Sequence, residues 1–258
     1  MVAALGTLAL MHNRLLRAIG RRMASYLAAP RRDYSRFSLT NTELLMDTLQ
    51  SGDILLIEGN SRLSRVIQLL TQSTWSHACI CVGPNRLVEA DLLEGVIEIS
   101  SDKYASNNSR ICRPIGLSPE DRKQVSSFVC GHLGYQYDTR NIIDLARWFL
   151  PVPPVSRKMR ERLIGFGSGE PTRAICSTMI AQAFQELDFP ILPLYCEDGE
   201  SCPPTISSST LRHRHFTHFT PRDFDLSPYF EVIKPLAGSG FDYREMQWAE
   251  DDGESTPL

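Results

Sequence analysis

Gly83-Pro84-Asn85-Arg86 is a four-residue turn between two apolar runs, and a link that short makes the second run double back antiparallel to the first. The first run, 77–82, reads as a strand whose side chains alternate. His77, Cys79 and Cys81 share one face, and Ala78, Ile80 and Val82 share the other. The second run is Leu87-Val88-Glu89-Ala90. If Cys81 lies opposite Leu87, then Cys79 faces Glu89 and His77 faces Asp91, so both acids come within cross-strand or diagonal reach of the histidine. A slip of one residue sends both to the other face.

Similar runs bounded by turn residues predict further strands at 54–57, 95–99, 110–115 and 229–233. Helical patterns stand at 41–50, 61–70, 142–150 and 157–164. Another begins at Ser118-Pro119-Glu120-Asp121, where Ser as N-cap, Pro in the first turn and an acid three residues on predict a helix to about residue 133. The stretch 194–210 reads as irregular, and Thr220 to Asp225 as a turn.

The chemistry is expected at Cys176, where the polar approach Arg173-Ala174-Ile175 opens an apolar helix. A helix N-terminus offers unpaired N–H groups and partial positive charge, which stabilise a thiolate and an oxyanion beside it. His77 is the expected partner, so the histidine precedes the cysteine in the chain. Ser177, next to the nucleophile, and Trp75, next to the histidine, are expected to line the site, though an aromatic at 75 suits the core equally well. Cys79 and Cys81 make a single Cys-x-Cys without a second ligand pair, so no metal or cofactor is expected. His213, His215 and His218 read as a solvated loop.

A net charge of −3 excludes a general nucleic-acid binder, and seven cysteines without a small-scaffold pattern fit a reducing, cytoplasmic compartment better than a disulfide framework. Between His12 and Leu27, apolar residues recur at helical spacing with Arg14, Arg17 and Arg21 on the opposite side. That basic amphipathic helix fits a peripheral anchor on the inner membrane face, through residues 1–30, or a helix docked on its own domain. The expected organisation is an N-terminal extension at 1–44, one α+β catalytic domain at 45–236 with an irregular insertion at about 194–218, and an acidic tail at 237–258.

Taken together, Gly52-Asp53, Ser76-His77, Val88-Glu89-Ala90, Tyr135-Gln136-Tyr137-Asp138 and Cys176-Ser177 resemble the YiiX/YebB-like branch of permuted NlpC-type cysteine hydrolases, relatives of the LRAT-like proteins, and bacterial proteins termed "lipo-like". The resemblance spans about residues 45–235. It implies a circularly permuted papain-like fold, an antiparallel sheet packed against helices. By position it makes Cys176 the nucleophile, His77 the base and then acid, Glu89 the polar third member and Tyr137 an oxyanion or site-lining donor; the hairpin register leaves Asp91 as the alternative third member. Ile175-Cys176-Ser177-Thr178 departs from the Tyr-Cys-Ser-Glu common in that family.

The function implied is a cysteine hydrolase or acyltransferase acting on an amide or ester through a thioester, with a lipid, lipid-linked or other small-molecule substrate. A cell-wall peptide amidase and a non-catalytic membrane scaffold are the alternatives. If residues 1–30 anchor the protein, the full chain floats with anionic liposomes and a chain beginning at Leu45 does not; equal behaviour of the two excludes the anchor.

Overall fold

The structure, a computed structural model, describes residues 22, 25–30, 42–91, 93–135, 175–195 and 211–234. Its elements are α1 (Thr42–Thr48), β1 (Ile54–Ile57), α2 (Arg62–Thr71), β2 (His77–Gly83), β3 (Arg86–Asp91), β4 (Gly95–Ile99), a 3₁₀ turn (Ser101–Tyr104), β5 (Ser109–Pro114), α3 (Pro119–Cys130), α4 (Ile175–Gln185), β6 (Leu194–Tyr195), β7 (Leu211–Arg212), a second 3₁₀ turn (Phe216–His218), α5 (Pro221–Leu226) and β8 (Phe230–Ile233). The fold is α+β. Six strands form one antiparallel sheet in the order β4-β3-β2-β1-β5-β8, and β6 with β7 makes a separate small ladder.

β1 is buried at all four positions because both faces of the sheet are covered there. Ile54 and Leu56 join Ala78, Ile80 and Val88 under Val125 and Val129 of α3, Ile180 and Phe184 of α4, and Phe224 of α5. Leu55 and Ile57 join Cys79, Cys81, Leu87 and Ile111 on the opposite face, beneath Leu45 of α1 and beside Tyr104. Phe184, Phe189, Phe224 and Phe230 meet at tilted or edge-on angles, with centroids 5.3–5.8 Å apart, and fasten α4 and α5 to β8.

Side-chain caps open two helices, the one at Ser118 as expected. Ser61 caps α2 through the N–H of Ser64 at 3.0 Å, and Ser118 with Asp121 forms a capping box on α3. α3 stops at Cys130 rather than at 133, and the N–H of Gly134 then donates to the carbonyl of Val96, tying the helix exit to β4. The expected turn at 220–225 is instead the start of a helix, Pro221–Leu226, with Thr220 as its N-cap. Asp223 accepts the N–H of Thr220 at 2.7 Å as a capping residue, and the burial of Phe224 favours the helical course. The predicted irregular stretch is ordered at its borders, where β6 pairs β7; residues 196–210 lie outside the described residues, as do the helices expected at 142–150 and 157–164.

Of the amphipathic N-terminal segment, residues 25–30 dock on the domain. Leu27 is 2 % exposed, Pro30 bridges Ser61, and Arg62 donates to the carbonyl of Tyr26 while its guanidinium stacks 4.3 Å over the Tyr26 ring. Among the described residues, no helix is long and apolar enough to cross a membrane.

A buried ion cluster pins the start of β1. Gly52 takes φ +88°, a conformation open to glycine, and turns the chain so that Asp53 is fully buried. Arg113 holds both carboxylate oxygens of Asp53, at 2.9 and 2.7 Å, and also the carbonyl of Thr48; Arg122 lies 3.8 Å away. One carboxylate thus joins α1, β1, β5 and α3. Asp53→Ala leaves Arg113 without its buried partner and is expected to cost about 3–5 kcal/mol, read as a lower urea midpoint at unchanged slope.

Candidate active site

Cys81 exchanges backbone hydrogen bonds with Gly52 and Asp53, so the odd residues of β2 turn their backbone toward β1 and the even ones toward β3. The register is the one anticipated, Cys81 opposite Leu87 and Ile80 opposite Val88, but the pairing does not continue to Ala78 and Ala90. The two strands part there. The backbone N–H groups of Ala78 and Ser177 face the sulfur of Cys176 and favour its charged form.

His77 stands where the strands part and touches both sides. Its Nε2 lies 2.9 Å from Glu89 Oε2, which leaves Nδ1 as the nitrogen for the hydrogen bond the ring makes with Cys176. Cys176 is 5 % exposed and the His77 side chain 21 %, so the imidazole is the member that faces solvent.

Glu89 is 1 % exposed and accepts from four donors among the described residues. Oε2 receives His77, the Tyr104 hydroxyl at 2.6 Å and the Cys79 thiol at 3.3 Å; Oε1 receives Lys103 Nζ at 2.5 Å. Lys103 and Tyr104 come from the 3₁₀ turn after β4. That turn is held by Asn85, whose Oδ1 accepts from Ser100 and twice from Ser101. Nothing in the sequence marks either residue as a partner of Glu89, because the turn that delivers them is built by Asn85 from a different hairpin.

These contacts set the protonation states. Burial opposes ionisation of Glu89, but the hydrogen bond and charge of His77, with the bonds from Lys103 and Tyr104, outweigh it and hold the carboxyl well below the usual range. Burial lowers the imidazole's pKa, whereas Tyr104, Cys176 and Cys79 raise it, and the balance lies well above the usual value. For Cys176, burial raises the thiol, yet the charge and hydrogen bond of His77 and the N–H groups of Ala78 and Ser177 bring it below the ordinary value. Other buried thiols behave oppositely: burial pushes Cys79 and Cys112 up to about 12 and Cys81 to about 11.

The remaining expected residues fall elsewhere. Asp91 does not orient His77; its Oδ1 accepts the N–H groups of Leu93 and Glu94 at 2.7 and 3.0 Å and shapes the β3–β4 turn, while the splayed strands bring His77 diagonally onto Glu89. Trp75 is a core residue and not a groove wall: it is 5 % exposed, its indole N–H donates to Asp225 at 3.0 Å, and Arg110 stacks over its ring. The Ser177 hydroxyl donates to the carbonyl of Phe219 at 2.8 Å, while its N–H faces the site. Tyr137 lies outside the described residues.

No protein-family model matches the chain, and no curated protein matches it. In structure the chain is similar to the crystal structure of the metalloprotein YiiX from Escherichia coli O157:H7, DUF1105. The superposition covers 72 % of this chain and 96 % of that one, at 18 % sequence identity and a TM-score of 0.45.

His77, Cys79 and Glu89 do present metal-type donor atoms within 4.8 Å of one another. The Cys-x-Cys pattern alone hides this set, since Glu89 joins His77 and Cys79 only through the neighbouring strand. As placed, the donors do not fit a resident metal. Both Glu89 oxygens are occupied, the Lys103 ammonium is 2.5 Å from one of them, and Cys79 is held as a thiol.

Because its pKa is lowered, Cys176 is expected to ionise, and to be alkylated by iodoacetamide, at pH values below the ordinary thiol pKa of about 8.5. The rate falls only as pH drops through the lowered value. His77→Ala moves that limb upward, toward or past the ordinary pKa, as peptide-resolved mass spectrometry across pH will show.

Proposed function

We infer that the chain is a cysteine-dependent hydrolase or acyltransferase in which the Cys176 thiolate attacks the carbonyl of an ester or amide. The observation that carries this reading is the Cys176 sulfur, shifted toward thiolate by an imidazole whose far nitrogen is fixed by a buried carboxylate. A buried structural cysteine has no need of that arrangement: Cys79 touches the same imidazole, yet in Cys79, Cys81 and Cys112 alike burial prevails and the thiol is pushed up.

In the proposed cycle the sulfur forms a bond to the carbonyl carbon, and the carbonyl π electrons move onto oxygen. The N–H groups of Ala78 and Ser177, which face the sulfur in the resting state, stand beside the carbon under attack, where they favour the oxyanion as charge leaves the sulfur. Collapse breaks the bond to the leaving group, which takes its proton from imidazolium His77. The neutral imidazole then removes a proton from water or an acceptor hydroxyl or amine. That nucleophile attacks the thioester and returns the thiolate. Glu89 holds Nε2–H throughout. The order of histidine strand before cysteine helix is the one expected of a permuted papain-like domain.

For the substrate we favour an acyl carbonyl of a lipid or lipid-linked molecule. Leu93 and Tyr135 are 48 % and 60 % exposed at the β3–β4 end of the sheet, where His77 also lies, and the basic amphipathic pattern of residues 12–27 suits a membrane surface.

The test is incubation with long-chain and short-chain acyl esters and amides, presented in micelles and vesicles, with intact-mass detection of the adduct. One acyl group on Cys176 is expected, absent in Cys176→Ala and formed about 10²–10⁴-fold more slowly in His77→Ala. Failure of every acyl donor, together with electrophile labelling indifferent to His77→Ala, would instead favour a binding or scaffold protein.

A further inference from the structure

Two chemistries compete for the Glu89 carboxylate. His77, Cys79 and Glu89 offer nitrogen, sulfur and oxygen donors within 4.8 Å of one another, a set suited to a borderline divalent metal. A cation is already in place, however. Lys103 Nζ sits 2.5 Å from Oε1, on a side chain that is 42 % exposed. A metal bound to Glu89 would lie within a few ångströms of that ammonium, where two positive charges repel strongly in a partly buried site.

We propose that Lys103 is the tethered cation of this cluster: it takes the place a divalent metal would have against Glu89, and it positions the carboxylate that in turn holds His77. The surroundings are arranged for this. Tyr104 and Cys79 give Glu89 neutral donors, so one positive charge besides His77 balances the carboxylate without a second. The backbone carrying Lys103 is fixed by Asn85 through three hydrogen bonds, so the ammonium is delivered by a built turn and not by a wandering side chain. Since Lys103 reaches Glu89 from the solvent side, its removal opens a path for a metal. The cation half of the proposal stands on geometry alone, and the positioning half rests on the cysteine-enzyme reading.

The cation half is tested in the Cys176→Ala chain, so that the nucleophile cannot act as a ligand, by Co²⁺ titration followed through thiolate-to-cobalt charge-transfer absorption. Adding Lys103→Met is expected to create a band that Cys79→Ser abolishes, with Co²⁺ bound at least about tenfold more tightly than by the parent. Lys103→Gln, which keeps a donor without the charge, serves as the second neutral variant should the first fail to fold. Lys103→Arg is expected to exclude the metal as lysine does. A Cys79-dependent band of equal affinity in the parent overturns the proposal, and so does its absence from both neutral variants.

For the positioning half, Lys103→Met in the chain with Cys176 intact is expected to slow alkylation of Cys176 at neutral pH about tenfold, with most of the rate recovered in Lys103→Arg. An unchanged rate in the methionine variant, or no recovery with arginine, overturns this half. If Cys176 is no more reactive than the other cysteines in the unaltered chain, the enzyme reading fails while the cobalt result stands.

Discussion

A carboxylate shut away from water costs several kcal/mol unless the protein surrounds it with donors, and Glu89 is such a group. Four side chains from four positions meet that demand: His77 and Cys79 from β2, Lys103 and Tyr104 from the 3₁₀ turn. The requirement runs both ways. Glu89 stays ionised because the donors converge, and the donors are held in place because an ionised Glu89 is there to receive them. His77 gains its orientation from this cluster, and the charge and hydrogen bond of His77 in turn lower the pKa of Cys176.

The second condition is an interruption in the sheet. Had β2 and β3 stayed paired past Ile80 and Val88, the N–H of Ala78 would be spent on β3 and Cys176 would have no opening between the strands. His77 therefore belongs to both sides of the sheet. Its carboxylate support lies with Cys79 and Tyr104 on the face covered by α1, while its sulfur partner starts α4 on the other. Such a site needs a well-anchored sheet beneath it. The Asp53–Arg113 pair at one end of β1 and the aromatic contacts among α4, α5 and β8 supply that anchoring.

Much of this was legible along the chain where neighbours decide the outcome. The alternation at 77–82, the turn at Gly83-Pro84-Asn85-Arg86, and the cap at Ser118 specify local geometry through period, backbone preference and hydrogen bonds spanning a few residues. The hairpin register put Glu89 beside Cys79 because the turn fixes pairing at its near end. Farther from the turn that reasoning weakened. Asp91, directly opposite His77 by extrapolation, serves its own turn, since the strands have separated and the ring swings diagonally to Glu89. Thr220 to Asp225 carries a signal shared by turns and helix starts, and only the buried seat of Phe224 separates them.

By itself, then, the sequence determined the α+β character, the short antiparallel elements and the pair of residues at which a thiol and an imidazole were to be sought, because each follows from side-chain period and from contacts a few residues apart. Only the tertiary structure decided that Lys103 and Tyr104 join Glu89, that Trp75 belongs to the core, and that the N–H of Ala78 is turned to the sulfur. Those outcomes depend on segments distant in the chain competing for the same buried polar atoms, and that competition has no trace in the order of residues.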